Sequence, residues 1–316
     1  VQSKTKNIIS AKKIKQKFCF FIVKVTQVLV FVLLYKISFC NMKKVTLSFI
    51  LVCIICLSQI MAQTYQLDLL RKVTMAEPQM VSTDIYNHIY IADEQGNVTQ
   101  YNAQGDSLLR YAPPQPARIH ILEAWKGLKI LLFYKDLQSY TWLNRFLVAT
   151  QNKVLQNEQI GFTRLLSYAA DGNLWLFDDQ DFSLKKFQDN QNKVLLTTPC
   201  DLLFSPRNYQ LTFLREYQNQ VFLIDKNSGI FIFDNFGNFK KKLDIRNVNF
   251  VTFLGDYVTY IQENVLYLQH LYQKQLHKII LPIEHHYKDF FAITATHLYL
   301  FSGNQMLVYA YQKKNP

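Results

Sequence analysis

The chain has 316 residues and a formal charge of +12, and 49% of its residues are hydrophobic. Ten of its 35 basic residues and none of its 23 acidic ones fall in residues 1–62, which leaves 25 basic against 23 acidic side chains in residues 63–316. That near-balance excludes the clustered positive footprint of a nucleic-acid-binding domain.

The basic segment comes first. Within it, "MKKVTLSFILVCIICLSQIMAQ" begins at Met42. Lys43 and Lys44 make a charged start, Val45 to Leu57 an apolar stretch, and Ile60-Met61-Ala62 a cleavage site ending on a small residue, the pattern of an export signal. Residues 42–62 are therefore read as a signal peptide, with the mature chain starting near Gln63. Residues 1–41 open on Val1 and carry no acids, and they are expected to be an extension upstream of the true start. An anchor over 18–35 is the alternative. Lys24 and Gln27 interrupt that run, and its clean apolar core falls short of the ~20 residues that span a bilayer. Cys53 follows Val52 and Cys56 follows Ile55, against the small residue that lipid attachment asks for. No transmembrane anchor is expected in the mature chain. Four of the five cysteines lie in the leader, so Cys200 is left without a disulfide partner and is read as an inert, partly buried residue.

From residue 63 onward the pattern is strand throughout. "HIYIADEQGNVTQYNAQGDSLLRY" at 88–111 holds three apolar runs separated by polar, Gly- or Asn-bearing turns. The same three-strand order returns in stretches that begin at Gly172 and Asn219, and more weakly at 127–156, 255–282 and 296–314. A further apolar run precedes each later copy: "RIHILEA" from Arg118, "RLLSYAA" from Arg164, "QLTFLRE" from Gln210, "NFVTFLG" from Asn249 and "DFFAITA" from Asp289. Four strands repeating about every 42 residues is the signature of propeller blades. Six blades fit residues 63–316, one domain. The last copy lacks its fourth strand, and "TYQLDLLRKV" at 64–73 is the spare run that supplies it. The expected fold is an all-β, six-bladed propeller of four-stranded antiparallel blades, its last blade closed by the first strand of the mature chain. A β-sandwich or an open solenoid would need less regular or shorter units.

The pattern "IYIAD…GNV…Y…G" over 89–105 is similar to the blades of six-bladed propellers related to the NHL repeat. With the export signal, residues 63–316 resemble uncharacterised secreted propellers of the Bacteroidota. The resemblance implies a blade architecture and not an activity, since such folds carry lactonases, lyases, dehydrogenases and binding platforms alike.

Candidate functional residues follow from position. Asp93, Asp136, Asp178 and Asp225 each end the second strand of a unit. They are read either as a ring of partner or calcium contacts or, more simply, as acceptors for backbone N–H groups of the next turn. "YAPPQPARIHILEAW" at 111–125 places three prolines, Arg118 and Trp125 near one blade junction, and "PCDLLFSPRNY" at 199–209 places Arg207 near another. Asp93, Asp136, Asp178, Asp225, Arg118, Arg207 and Trp125 are thus the expected binding residues on one face. A lactonase-like alternative, a hydrolase or lyase with an axial metal, would draw on inner-strand acids. Glu123, Glu216 and Asp289 are too scattered to assign a centre, and they are read as solvated strand ends. His285 and His286 point apart in an extended segment, and His270 and His277 fall on separate strands of a hairpin. No catalytic residue, metal site or cofactor is assigned. The function expected is a protein- or ligand-binding or scaffold module of the bacterial envelope, exported to the periplasm or else outer-membrane-associated or secreted. Its partner is an envelope protein or surface ligand rather than nucleic acid, and it is expected to be a monomer.

Overall fold

The structure, a computed structural model, describes residues 65–283 and 285–313; the segments read as an upstream extension (1–41) and a signal peptide (42–62) lie outside the described residues. Strand β1 (Tyr65–Thr74) stands apart in sequence from the blade it completes. Blade 1 follows with β2 (Pro78–Thr83), β3 (Ile89–Asp93), β4 (Val98–Tyr101) and β5 (Ser107–Tyr111). Blade 2 holds β6 (Ile121–Glu123), β7 (Lys129–Tyr134), β8 (Ser139–Asn144) and β9 (Ala149–Val154). Blade 3 holds β10 (Thr163–Tyr168), β11 (Leu174–Asp178), β12 (Ser183–Gln188) and β13 (Lys193–Pro199). Blade 4 holds β14 (Leu211–Tyr217), β15 (Gln220–Asp225), β16 (Gly229–Asp234) and β17 (Phe239–Leu243). Blade 5 holds β18 (Thr252–Leu254), β19 (Tyr257–Gln262), β20 (Val265–His270) and β21 (Leu276–Ile280). Blade 6 runs β22 (Phe291–Ile293), β23 (His297–Ser302), β24 (Gln305–Lys313) and then β1 as its outer strand. Every sheet is a four-stranded antiparallel meander.

The second and third strands of each blade are sandwiched between neighbouring sheets, which is why they read as continuous apolar runs. In blade 4 "VFLI" and "IFIF" are buried on both faces: Val221, Leu223, Phe231 and Phe233 pack toward blade 3, while Phe222, Ile224, Ile230 and Ile232 pack toward blade 5. One apolar cluster of this kind fills each of the six blade interfaces. Outer strands alternate instead, as Lys193–Pro199 does, because one face meets water.

Closure takes the expected form. β1 pairs antiparallel with β24 from Tyr65↔Lys313 to Thr74↔Gln305, with one irregularity between Leu69 and Arg71. Tyr65 and Leu67 pack into the interface with blade 5, and Val73 into that with blade 1. The pairing covers the β24 edge that an open array would expose.

The turns are built by side chains. Asp93 Oδ1 accepts the N–H groups of Gln95 (3.0 Å) and Asn97 (2.9 Å), and Gly96 takes φ +84°, which favours glycine. The same device recurs at Asp234, which accepts from Phe236 and Asn238 with Gly237 at φ +82°. In the second-to-third strand turns of blades 3 and 4 the acid has a second task. Asp178 accepts from Gln180 N and also from Gly161 N and Phe162 N of the preceding inter-blade linker. Asp225 likewise accepts from Gln210 N and Asn227 N. Each carboxylate ties its turn to the entry of its own blade's inner strand.

Candidate functional site

Strand direction alternates within a blade, so the second-to-third strand turns and the inter-blade linkers open at one end of the ring, here the upper end. The first-to-second strand turns open at the other, lower end. At the upper end a groove of about 410 Å³ runs between blades 1 and 2. Its lining includes Pro113, Pro114, Pro116, Arg118, Tyr134 and Asp136. The proline segment is held down by Ala117 N donating to Gln95 O, and an added Cβ on Gly96 would lie 2.2 Å from Ala117 O, so only glycine allows this approach. Arg118 is exposed and makes no side-chain hydrogen bond or ion pair among the described residues. Asp136 is also exposed, 3.4 Å from His120 Nε2. His120 Nδ1 accepts Lys135 N, and burial pushes the His120 pKa below its ordinary value, partly opposed by Asp136.

The other expected binding residues fall in different places. Arg207 is exposed at the same upper end, on a linker anchored by buried Phe204 and by Tyr209, whose hydroxyl donates to Asp179. Asp93 is half-buried in its turn. Asp178 and Asp225 have no exposed surface, and Asp178 is further bound by Lys185 Nζ at 2.7 Å. These two acids hold backbone and offer nothing to a partner at the surface. Trp125 follows the end of β6 and so lies at the lower end, across the ring from Arg118.

That lower end holds the second concavity, about 270 Å³ on the propeller axis. Five blades line it, through Asp84 and Ile85 of blade 1, Trp125 of blade 2, Arg215 and Tyr217 of blade 4, Phe253 of blade 5 and Thr294 of blade 6. Arg215 reaches across the axis: Nη2 donates to Ser82 Oγ of blade 1 at 3.4 Å, and Nε lies 3.7 Å from Glu123 Oε1 of blade 2. Glu123 is held elsewhere, accepting from Ser167 Oγ (2.8 Å) and Tyr168 N (2.7 Å) of blade 3. Burial raises the Glu123 carboxyl above its ordinary range, with Arg215 the leading opposing influence. Burial likewise lowers Arg215 from its usual value.

The expectation of solvated strand ends is corrected for two of three acids. Glu123 and Glu216 are both 4% exposed, because Glu123 is covered by Arg215, Ser167 and Tyr168 and Glu216 packs against Trp175 of the neighbouring blade. Glu216 accepts Trp175 Nε1 at 2.6 Å, a partner different from any of Glu123's. Asp289 is exposed and accepts from Asn249 Nδ2. Among the described residues no three His, Cys, Asp or Glu side chains are placed to hold one ion. His270 and His277 lie on the adjacent strands β20 and β21. Among the described residues no helix is long and apolar enough to cross a membrane.

No protein-family model and no curated protein matches the chain in sequence. Solved structures do match. A catalytically inactive virginiamycin B lyase from Staphylococcus aureus, with quinupristin, is similar at TM-score 0.54 and 8% identity over 78% of this chain and 99% of that one. The Neurospora crassa Pan2 WD40 domain is similar at TM-score 0.55 and 10% identity, over 81% and 97%. YCF48 bound to D1 peptide is similar at TM-score 0.50 and 10% identity, over 79% and 98%. The likeness is one of fold. At these identities it transfers no residue role.

Proposed function

We propose that this protein is an exported binding module of the cell envelope, which docks an extended protein segment in the groove between blades 1 and 2. The observation that carries the reading is Arg118, an exposed guanidinium without an internal partner on the wall of a proline-strapped groove. Side chains that build the fold here are bonded to it, as Asp178 and Asp225 are; Arg118 is not. Three prolines hold the rim in place, so little ordering entropy is lost when a ligand arrives. The export signal read at 42–62 supports an envelope location, and the peptide held by YCF48 supports a propeller of this fold as a peptide receptor.

A photoreactive residue placed at Gln115, beside Arg118, tests the reading in the native host. One discrete crosslinked protein is expected from Gln115, absent when the same probe sits at Lys242 on an outer strand and lost with R118E. A smear identical from both positions, or an adduct indifferent to R118E, would remove the groove as the docking site. Mass spectrometry of the mature N-terminus near Gln63 tests export separately.

A further inference from the structure

The lower, axial pocket is a separate site with a different chemistry. Arg215 carries five N–H donors, and its side chain is nine-tenths buried. Among the described residues those donors meet only the 3.4 Å bond to Ser82 and the 3.7 Å ion pair with Glu123, and Nε makes no hydrogen bond. Glu123 cannot move closer without giving up Ser167 and Tyr168. The indole N–H of Trp125, on the wall of the same pocket, is also buried without an acceptor. Its ring is fixed by Lys126, whose ammonium lies 5.0 Å from the ring centre and bonds the carbonyls of Ala169 and Ala170.

The unmet groups are therefore donors from two blades, around a space whose wall combines Phe253, Leu254 and Ile293 with polar side chains such as Thr83, Asn87 and Thr294. Buried donors of this kind ask for an acceptor. Charge narrows the choice. Glu123 already opposes Arg215, and the Asp84 carboxyl on the wall accepts from Tyr86 N, His88 N, His88 Nδ1 and Tyr90 OH. Among the lining residues Arg215 is the one cation, already opposed by Glu123 behind it, and Asp84 adds a carboxyl to the wall, which leaves free N–H directions but no surplus positive charge. We infer that the axial pocket binds a small uncharged acyl compound, an amide or ester with an apolar body, whose carbonyl oxygen accepts from Arg215 Nε and the Trp125 indole.

The test is a titration of the purified protein with N-butylacetamide and, separately, with hexanoate as the charged counterpart and hexanol as the carbonyl-free one. The Trp125 indole N–H and Arg215 Nε–H proton resonances are followed, with W125F assigning the first. The inference expects saturable shifts of both resonances with the amide and weaker binding of the other two. W125F should keep the fold and weaken amide binding by about tenfold, as for one lost hydrogen bond to a buried donor. R215M should abolish it, and W125F together with the direct shifts decides the matter should R215M not fold. Tighter binding of hexanoate than of the amide would overturn the inference in favour of an anion site. No shift from any probe would overturn it in favour of a pocket satisfied by water.

Discussion

The indole N–H of Trp175 on β11 donates to Glu216 Oε2 on β14 at 2.6 Å, and both side chains are buried between blades 3 and 4. A polar bond thus crosses an interface otherwise built from Leu165, Phe177, Leu214 and Phe231. Glu216→Ala removes the acceptor and opens a small void, and it should cost about 2–4 kcal/mol in urea unfolding. Glu216→Gln keeps an oxygen facing the indole and should cost about 1 kcal/mol or less. Equal losses for the two variants would show that the hydrogen bond contributes nothing to the interface.

Asp178 makes stability depend on acid. Burial alone would raise its carboxyl, but Lys185 and the N–H groups of Gly161 and Gln180 outweigh this and hold it below the ordinary carboxylate range. A carboxyl lowered on folding stabilises the folded state above its unfolded pKa, and the contribution is lost as pH falls through the lower folded value. Stability of the parent protein should therefore drop progressively below about pH 4, with that component missing in Asp178→Asn. At neutral pH Asp178→Ala should cost about 3 kcal/mol, the lower end for a broken buried pair. Lys185 keeps Asp181 at 2.6 Å and the Gln159 carbonyl, which moderates the loss. A flat difference between parent and Asp178→Asn from pH 7 to pH 3 would contradict the assignment.

Ring closure can be measured by truncation. A chain begun at Gln63 should fold with full stability. A chain begun at Met75 loses β1, with Tyr65, Leu67 and Val73 removed from two interfaces, and should be less stable by at least ~4 kcal/mol. Equal thermal midpoints would mean that the ring holds without its closing strand.

Cys200 is 0% exposed, and burial pushes its thiol up to about 12. A thiolate is the reactive form, so Ellman's reagent should leave a chain begun at Gln63 untouched over hours and label its one thiol on unfolding in guanidinium. Rapid labelling of Cys200 in the folded state would show that the linker between blades 3 and 4 opens.

Much of this architecture could be read from the order of residues, because the blade repeat is local. Strand pairs such as Gln220–Asp225 with Gly229–Asp234 are hairpins whose apolar runs and turns lie within 15 residues. The weak point was blade 1, whose inner strand Pro78–Thr83 reads PQMVST and has little apolar signal. Its neighbours in the ring bury it regardless. The axial pocket was not legible for the opposite reason, since it has no local signature. Arg215 meets Ser82 across 133 residues, and Glu123 meets Ser167 across 44. Trp125 lies only seven residues from Arg118 in sequence, yet the inner strand Ile121–Glu123 runs between them and carries the chain from one end of the ring to the other.

The register of β1 against β24 sets how the ring would open under load. Tyr65 lies opposite Lys313, so both strands leave the sheet from the same end. Tension applied through residues 65 and 313 would act across the ladder rather than along it, breaking backbone bonds one after another from that end. An antiparallel pair loaded in this way peels at low force, whereas strands pulled along their length must give up all their bonds together. The seam that completes the ring is therefore also its mechanical release point, and a pulling machine that grips either end of the domain would meet its least resistance there.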